Sequence, residues 1–499
     1  MTAAPAGRRR GLTAGLVLVM FLAAMDSAVT AAAAPQIVAD LGGGAAFGWL
    51  LAAYVLAATV CLPLSGRLAD THGRRPVLLA GTLVFLLGSA LCAAGWDMPS
   101  LVVFRFVQGL GAGALQGTVQ TVAGDLYRPH ERGRIQAVLA SVWSVAALAG
   151  PAVGGGLAQY GDWRGIFLLN LPPGALALWL LVRRFPEEPV RGAAGGPVDW
   201  RGALSLLLTC GTLMTLSVQG GTAWPWLSAP GAALAALFAA LVLLTVRVER
   251  RAARPLIPRG LRRRREVAGA SLVLGLLGVI MTAPMLLLPV HAQAVLGLGP
   301  APAAAVLAGM TFGWPTAAVF SSRLYLRAGF RRAALAGALT ATTALATTAL
   351  LASAGAGALA FAAASTLLGV GFGLLQPALL VGVQAAVGWS GRATATAQLM
   401  FCREVGQTLG AALFGALFNA AGNRGIAVPA ECAATCGSHV AAGLEAAYAA
   451  ATGLAVAMVL VLLLGGRRER RGAAGPAGAR TAAGTGPSGE PSGWPGISR

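Results

Sequence analysis

The sequence predicts an all-α integral membrane protein in which two parallel six-helix bundles flank a two-helix insert, fourteen transmembrane helices in all. Three observations predict it: an apolar excess too large for a soluble core, a series of apolar stretches each about 20 residues long, and a ten-residue pattern that recurs once per half. The chain is 57% hydrophobic and 11% charged over 499 residues, where soluble domains carry roughly a quarter charged residues. Its charges cluster in short runs between the apolar stretches, as loops between spans do.

Spans are read at residues 12–35, 48–68, 76–95, 99–121, 134–157 and 164–183 in the first half, and at 200–218 and 227–247 in the insert. The second half supplies 266–290, 300–320, 332–352, 357–385, 392–420 and 443–465. Arg8, Arg9 and Arg10 precede an apolar run too long for a signal h-region and with no obvious cleavage site, so the first segment is expected to remain as a span. The expected division is an N-terminal half at 1–183, the insert with its basic loop at 184–265, a C-terminal half at 266–466 and a tail at 467–499. The tail is rich in Gly, Ala, Pro and Ser without apolar periodicity, and is expected to be disordered.

All 37 residues of the Lys and Arg class are Arg, and 33 of them fall on one side when alternate loops are assigned to the cytoplasm. Arg164 and Arg424 fall on the other side, and Arg105 and Arg403 lie within spans. The positive-inside rule therefore puts both termini in the cytoplasm of a multi-pass cell-membrane protein. It also accounts for the net charge of +20 without nucleic acid, which needs an exposed basic face that tracks phosphates. The nine arginines between Arg247 and Arg265 serve as an inside anchor or meet anionic lipid headgroups. The absence of lysine excludes a Walker-type phosphate-binding Lys and a Schiff-base Lys. There is no H-E-x-x-H, no G-x-S-x-G and no His or Cys ligand cluster in the spans, which leaves a membrane enzyme little to work with.

The repeat lies in equivalent loops. Gly66-Arg67-Leu68-Ala69-Asp70-Thr71-His72-Gly73-Arg74-Arg75 follows the second span, and Ser322-Arg323-Leu324-Tyr325-Leu326-Arg327-Ala328-Gly329-Phe330-Arg331 follows the tenth. Arg, Leu, Gly and Arg recur at the same offsets. Parallel repeats of this kind mark transporters whose binding site lies between the halves near the midplane.

Four stretches in this order resemble the major facilitator superfamily, in particular its fourteen-span drug:proton antiporter branch, from about Met25 to the last span. Gly66 to Asp70 with Gly73, Arg74 and Arg75 is similar to the family's cytoplasmic loop motif, and Arg105-Phe106-Val107-Gln108-Gly109 to its second motif. Gly150-Pro151-Ala152-Val153-Gly154-Gly155 resembles the antiporter motif of the fifth span, followed by Asp162-Trp163-Arg164-Gly165-Ile166-Phe167 with Asn170 and Pro172. The resemblance implies proton-coupled efflux of amphipathic or cationic drugs by alternating access, with no cofactor. Its partners would be a drug-like small molecule, protons and the bilayer. Proton-coupled uptake on the same fold is the alternative, against which the fifth-span motif argues.

Ionisable residues within spans are costly and call for a partner. At a rise of about 1.5 Å per residue, Asp26 lies about 21 Å from the inner end of its span and Arg105 about 9 Å from the outer end of its own, so their depths coincide. A carboxylate alternately paired with an arginine and opened to a cavity changes its proton affinity, which couples protonation to conformation; a fixed pair holding two helices together is the other reading. The family carries Thr and Asn after this acid, whereas this chain has Ala28 and Ala31 before Pro35, so those hydrogen-bonding neighbours are missing. Arg105, Gln108, Ala112 and Gln116 share one helical face and form a polar stripe suited to a cavity wall. Gly109, Gly113 and Gly117 form a ridge for close packing.

Gly150, Pro151 and Gly154 let the fifth span bend and pack tightly; the resemblance implies a seal against leakage. Gly66, Asp70, Gly73 and Arg74 form either a latch at the cytoplasmic gate or a passive anchor. Arg403 and Glu404 fall within the thirteenth span, about 100° apart on the helix, and need not pair with each other. Glu404 is a candidate second proton or cation site, or a structural carboxylate. Gln376, Gln384 and Gln398 add polar points. Trp143, Trp179, Phe372 and Phe401 either meet an apolar drug or face lipid and core. Cys432 and Cys436 lie in an outer loop where a disulfide could close.

Overall fold

A computed structural model of the chain describes residues 6–43, 47–160, 162–185, 199–221, 223–225, 228–253, 255–420 and 437–473. The first half contains α1 (Ala6–Leu41), α2 (Phe47–His72), α3 (Arg74–Ala93), α4 (Met98–Leu126), α5 (Pro129–Tyr160), α6 (Arg164–Leu168) and α7 (Leu171–Arg184). The insert holds α8 (Trp200–Gln219) and α9 (Ala229–Arg251), and the short α10 (Arg259–Arg263) leads into the second half. That half contains α11 (Arg265–Ala294), α12 (Pro300–Ala328), α13 (Phe330–Ser353), α14 (Ala358–Ala386), α15 (Trp389–Ala420) and α16 (Gly437–Ala473).

Packing repeats between the halves. In the first, α1 packs on α5 and α7, and α4 lies against α2 and α3. In the second, α11 packs on α15 and α16, and α14 lies against α12 and α13. Each half has its own apolar core, one built from α1 to α7 and the other from α10 to α16 with Leu62 of α2 added. Between halves the main seams are α5 on α12 and α2 on α15, which are equivalent pairs. The insert covers one seam, with α8 against α2 and α15 and α9 against α8.

The ten-residue repeat has the same geometry in both places. Gly73 joins α2 to α3 at φ 98°, and Gly329 joins α12 to α13 at φ 88°, in the left-handed region where a Cβ would be strained. The arginine two residues on then reaches a backbone carbonyl of the last helix of its half. Arg75 donates to the Val182 carbonyl at 3.0 Å, and Arg331 donates to the Leu462 carbonyl at 2.7 and 2.9 Å. Val182 lies in the last turn of α7, where carbonyls lack helix partners and the arginine favours the helix dipole, whereas Leu462 lies inside α16, so there the arginine adds a second donor to a helix carbonyl.

Two expectations are corrected. The sixth span is broken into α6 and α7, with Asn170 at the break. Thirteen helices, not fourteen, are long and apolar enough to cross a membrane among the described residues. The one that falls short is α15, which is 32 residues long but carries Arg392, Gln398, Arg403, Glu404 and Gln407. Its surroundings are protein on several sides, since it packs on α2, α4, α8, α11 and α16. The tail beyond residue 473, and Cys432 with Cys436, lie outside the described residues.

The start of α4 fixes the depth of every side chain along that helix. Asp97 accepts from the Ser100 backbone N–H at 2.8 Å and its own N–H donates back to the Ser100 hydroxyl, a reciprocal cap. The hydrogen bonds to Ser100 hold the Asp97 carboxyl below its ordinary range. Farther along, a Cβ on Gly109 or Gly113 would meet the Tyr54 or Ala58 carbonyl of α2, so this glycine ridge sets the α2–α4 distance. Gly113→Val is expected to lower the thermal unfolding midpoint and folded yield in detergent by forcing these backbones apart. Gly155→Val, at a site with open space, should leave both near wild type in the same fluorescence-detected chromatography assay.

Candidate functional site

Asp26 of α1 is 1% exposed and Arg105 of α4 is 0% exposed. Arg105 Nη1 donates to Asp26 Oδ2 at 2.5 Å and to Gln108 Oε1 at 2.7 Å. The other carboxylate oxygen, Oδ1, accepts from Gln108 Nε2 and from Asn170 Nδ2, both at 2.8 Å. Ser89 of α3 accepts from Gln108 and Asn170 and donates to the Phe167 carbonyl at 2.9 Å, closing the network. The Arg105 guanidinium lies 4.3 Å from the Tyr54 ring centroid, a cation–π contact on its open face. Donors from α4 and from the break between α6 and α7 thus converge on one carboxylate of α1, and a buried charge of each sign is compensated by the other.

A cavity of about 390 Å³ lies between the halves, lined from α1, α2, α4 and α5 on one side and α11, α12, α14 and α15 on the other. Its walls are mostly apolar and aromatic, with Tyr54, Trp143 and Trp314 and five methionines at Met20, Met281, Met285, Met310 and Met400. The thioethers are flexible and polarizable, suited to ligands of varied shape. The polar lining is mainly uncharged and includes five glutamines, Gln116, Gln120, Gln136, Gln376 and Gln407; Glu404 Oε1 accepts from Arg403 Nη2 at 2.5 Å and from Gln116 Nε2 at 3.2 Å, and Arg403 Nη1 donates to Gln376 Oε1 at 3.3 Å. The Gln116 bond crosses from one half to the other.

At the arginine-rich end the halves are held shut. Asp70 of α2 accepts from the backbone N–H groups of Ala393 and Thr394 near the start of α15, at 3.2 and 2.8 Å, and from the Thr394 hydroxyl at 2.7 Å. Arg74 Nη2 stands 3.3 Å from Asp70 Oδ1 and donates to the Trp389 carbonyl at 2.6 Å. Asp125 then takes Arg74 at 3.1 Å and Arg392 at 2.6 Å, joining α3, α4 and α15. A Cβ on Gly66 would come within 2.5 Å of Ala397 Cβ, so Gly66 lets α2 touch α15. At the equivalent seam the repeat has Tyr325, whose hydroxyl donates to the Pro129 carbonyl at 2.6 Å.

This arrangement, two repeated bundles with a cavity between them and a charged latch in the loop after the second helix, is matched by a family model. The model described as Major Facilitator Superfamily fits residues 16–411. The chain belongs to the major facilitator superfamily. Multidrug transporter protein MdtP of Bacillus subtilis is 28% identical over 415 residues, 83% of this chain and 76% of that protein. Multidrug resistance protein 3 of Bacillus subtilis is 32% identical over 317 residues, 64% of this chain and 62% of that protein. The solved structure of the human organic anion transporter MFSD10 (TETRAN) is 16% identical, with a TM-score of 0.67 over 92% of this chain and 100% of that one; at that identity the likeness shows the fold.

On the major facilitator fold, the sequence-read residues divide clearly. Gln116, Trp143, Gln376, Arg403 and Glu404 line the cavity. Gln108 does not: it is fully buried and turned to Asp26, because the carboxylate and Ser89 offer it partners that an apolar cavity wall lacks. Arg403 and Glu404 pair despite adjacency, since both side chains are long enough to close a 100° separation. Gly150 and Gly154 pack against Ala28 and Val29 of α1, beside Asp26, while Pro151 is exposed. Phe372 packs on Trp314, Phe401 packs against the core, and Trp179 is exposed, so none of the three lines the cavity.

Sequence reasoning missed Asn170 as a partner of Asp26, and it missed the methionines. Asn170 was visible only as part of a motif; its role depends on the break between α6 and α7. Arg105→Gln is expected to destabilise the folded protein by about 3–5 kcal/mol, the usual cost of leaving a buried charge alone. Asp26→Asn combined with Arg105→Gln should cost clearly less than the two single changes summed, measured by thermal or denaturant unfolding in one detergent.

Proposed function

We propose that this chain expels amphipathic, drug-like small molecules across the cell membrane in exchange for protons, by alternating access between residues 1–183 and residues 266–466. The observation that carries the reading is the position of Asp26 on a cavity-lining helix. Met20, Ala23 and Ser27 of α1 line the cavity, while Asp26 on the same helix is buried against Arg105, Gln108 and Asn170. A change in the charge of that carboxylate therefore acts on the helix that borders the substrate.

Ionised, Asp26 holds α1 to α4 and to the α6–α7 break through hydrogen bonds from Arg105, Gln108 and Asn170. Protonated, it loses its charge and one acceptor position, and Arg105 is left to the Tyr54 ring, the Leu50 carbonyl and Gln108. The pair then weakens and α1 is free to shift against α5, where Gly150 and Gly154 allow close contact. Proton entry and substrate release thus use the same helix from opposite faces. In the present conformation Asp70, Arg74, Asp125 and Arg392 close the arginine-rich end, which the charge asymmetry assigns to the cytoplasm. Breaking that latch opens the cavity to the inside, and Glu404 serves as a second site whose cross-half bond to Gln116 reports the relative position of the halves. The relatives' names as multidrug proteins and the α5 packing support export over uptake.

Inverted membrane vesicles with an acidic interior test the proposal. Wild type is expected to accumulate a fluorescent amphipathic drug, and collapse of the proton gradient should abolish accumulation. Asp26→Asn should reduce the gradient-driven rate about tenfold or more, while still binding drug. Equal accumulation by wild type and Asp26→Asn would remove Asp26 from coupling, and drug loss from the vesicles under the same gradient would make the chain an uptake protein.

A further inference from the structure

We infer that the cavity is a charge-balanced site that selects amphiphiles of zero net charge, uncharged or zwitterionic, and that Arg403 is the residue that disfavours cations. The inference rests on the cavity being the substrate site of the proposed function. Among the described residues lining it, the Asp, Glu, Lys and Arg members are Arg403 and Glu404 alone. They face the cavity with side chains 13% and 15% exposed and are joined at 2.5 Å. Asp26 and Arg105 are sealed behind the wall and neutralise each other, so they add little net field.

Arg403 therefore occupies the position that a cationic ligand would take at Glu404. A monocation entering must either stay away from the carboxylate or displace the guanidinium, leaving it with Gln376 as its side-chain partner. Displacement leaves one uncompensated charge in a site with apolar walls, which is strongly unfavourable. An anion faces the mirror-image problem, because it competes with Glu404 for Arg403. An uncharged solute leaves the pair intact, and a zwitterion replaces it with two matched contacts. Because both residues lie on α15, the balance travels with that helix. It does not depend on how the two halves are placed.

Purified full-length protein in detergent, at fixed pH, is offered three aryl probes: tetraphenylphosphonium and tetraphenylborate, which share a four-ring body, and neutral triphenylphosphine oxide, which carries three such rings. Equilibrium dialysis corrected for micelle partition gives the affinities. Wild type is expected to bind the neutral oxide about tenfold more tightly than either ion. Arg403→Gln should raise tetraphenylphosphonium affinity about tenfold with the oxide little changed, and Glu404→Gln should do the same for tetraphenylborate. The double variant should return to the wild-type order. If a single variant does not fold, the wild-type order and the double variant still decide, since a wild type that prefers either ion overturns the inference.

Ala140→Trp, which fills the cavity from α5, separates the two levels. If it binds all three probes as well as wild type, the cavity is not the substrate site and the proposed function loses its site. If it abolishes binding while the charge order ignores Arg403→Gln and Glu404→Gln, the charge-balanced site alone is wrong.

Discussion

A carboxylate deep in a membrane protein persists as an ion only when its surroundings replace water, and around Asp26 a guanidinium and two side-chain amides do so. The rest of the first half is arranged around that requirement. The Asp97 cap sets the start of α4, the glycines of α4 bring it against α2, and the break before α7 places Asn170 at the second carboxylate oxygen. Each device is a backbone feature serving one polar contact. An apolar residue at position 26 would leave Arg105, Gln108 and Asn170 without their shared carboxylate.

The halves repeat in packing but differ in charge. Gly73 and Gly329 make the same turn, and Arg75 and Arg331 each reach a backbone carbonyl of the last helix of their half, so these parts of the repeat serve the fold of each bundle. The positions of Asp70 and Arg74 are held in the second copy by Leu326 and Phe330. There Phe330 stacks on Tyr325 with ring centroids 5.0 Å apart, and the tyrosine hydroxyl makes the cross-half bond instead. One seam is thus closed by ions and helix N–H groups, the other by neutral hydrogen bonds, from Tyr325 to the Pro129 carbonyl and from Ser144 to the Thr311 carbonyl, with Tyr325 held by Phe330. Charged contacts respond to protonation and to salt, whereas aromatic packing does not, which makes the α2–α15 seam the one through which chemistry can act.

Much of this was legible in the sequence where a single periodicity or a depth along a helix decides. Asp26 and Arg105 were placed at the same depth by counting residues, and they meet. The spacing of Gly109 and Gly113 gave the packing ridge, and the repeated loop gave the two halves. What failed depends on the direction of a side chain among competing partners. Gln108 shares a helical face with Gln116, yet one turns to a carboxylate and the other to the cavity. The missing neighbours of Asp26 on α1 are supplied by Gln108 and by Asn170, a residue 144 positions away. The polar residues that make α15 less apolar than the other spans include Arg403, Glu404 and Gln407 of the cavity, and five methionines scattered through the chain converge there because of tertiary packing alone.

The claim on which the account depends is that the charge of Asp26 decides which end of the cavity is closed. Spin labels at His72→Cys and Arg332→Cys, exposed positions at the arginine-rich end of the two halves, report that closure by double electron–electron resonance in a background without native cysteines. The account predicts a distance distribution that shifts with pH in the otherwise wild-type protein and stays at the low-pH distribution at every pH when Asp26 is replaced by Asn. A pH response identical in both proteins would contradict it.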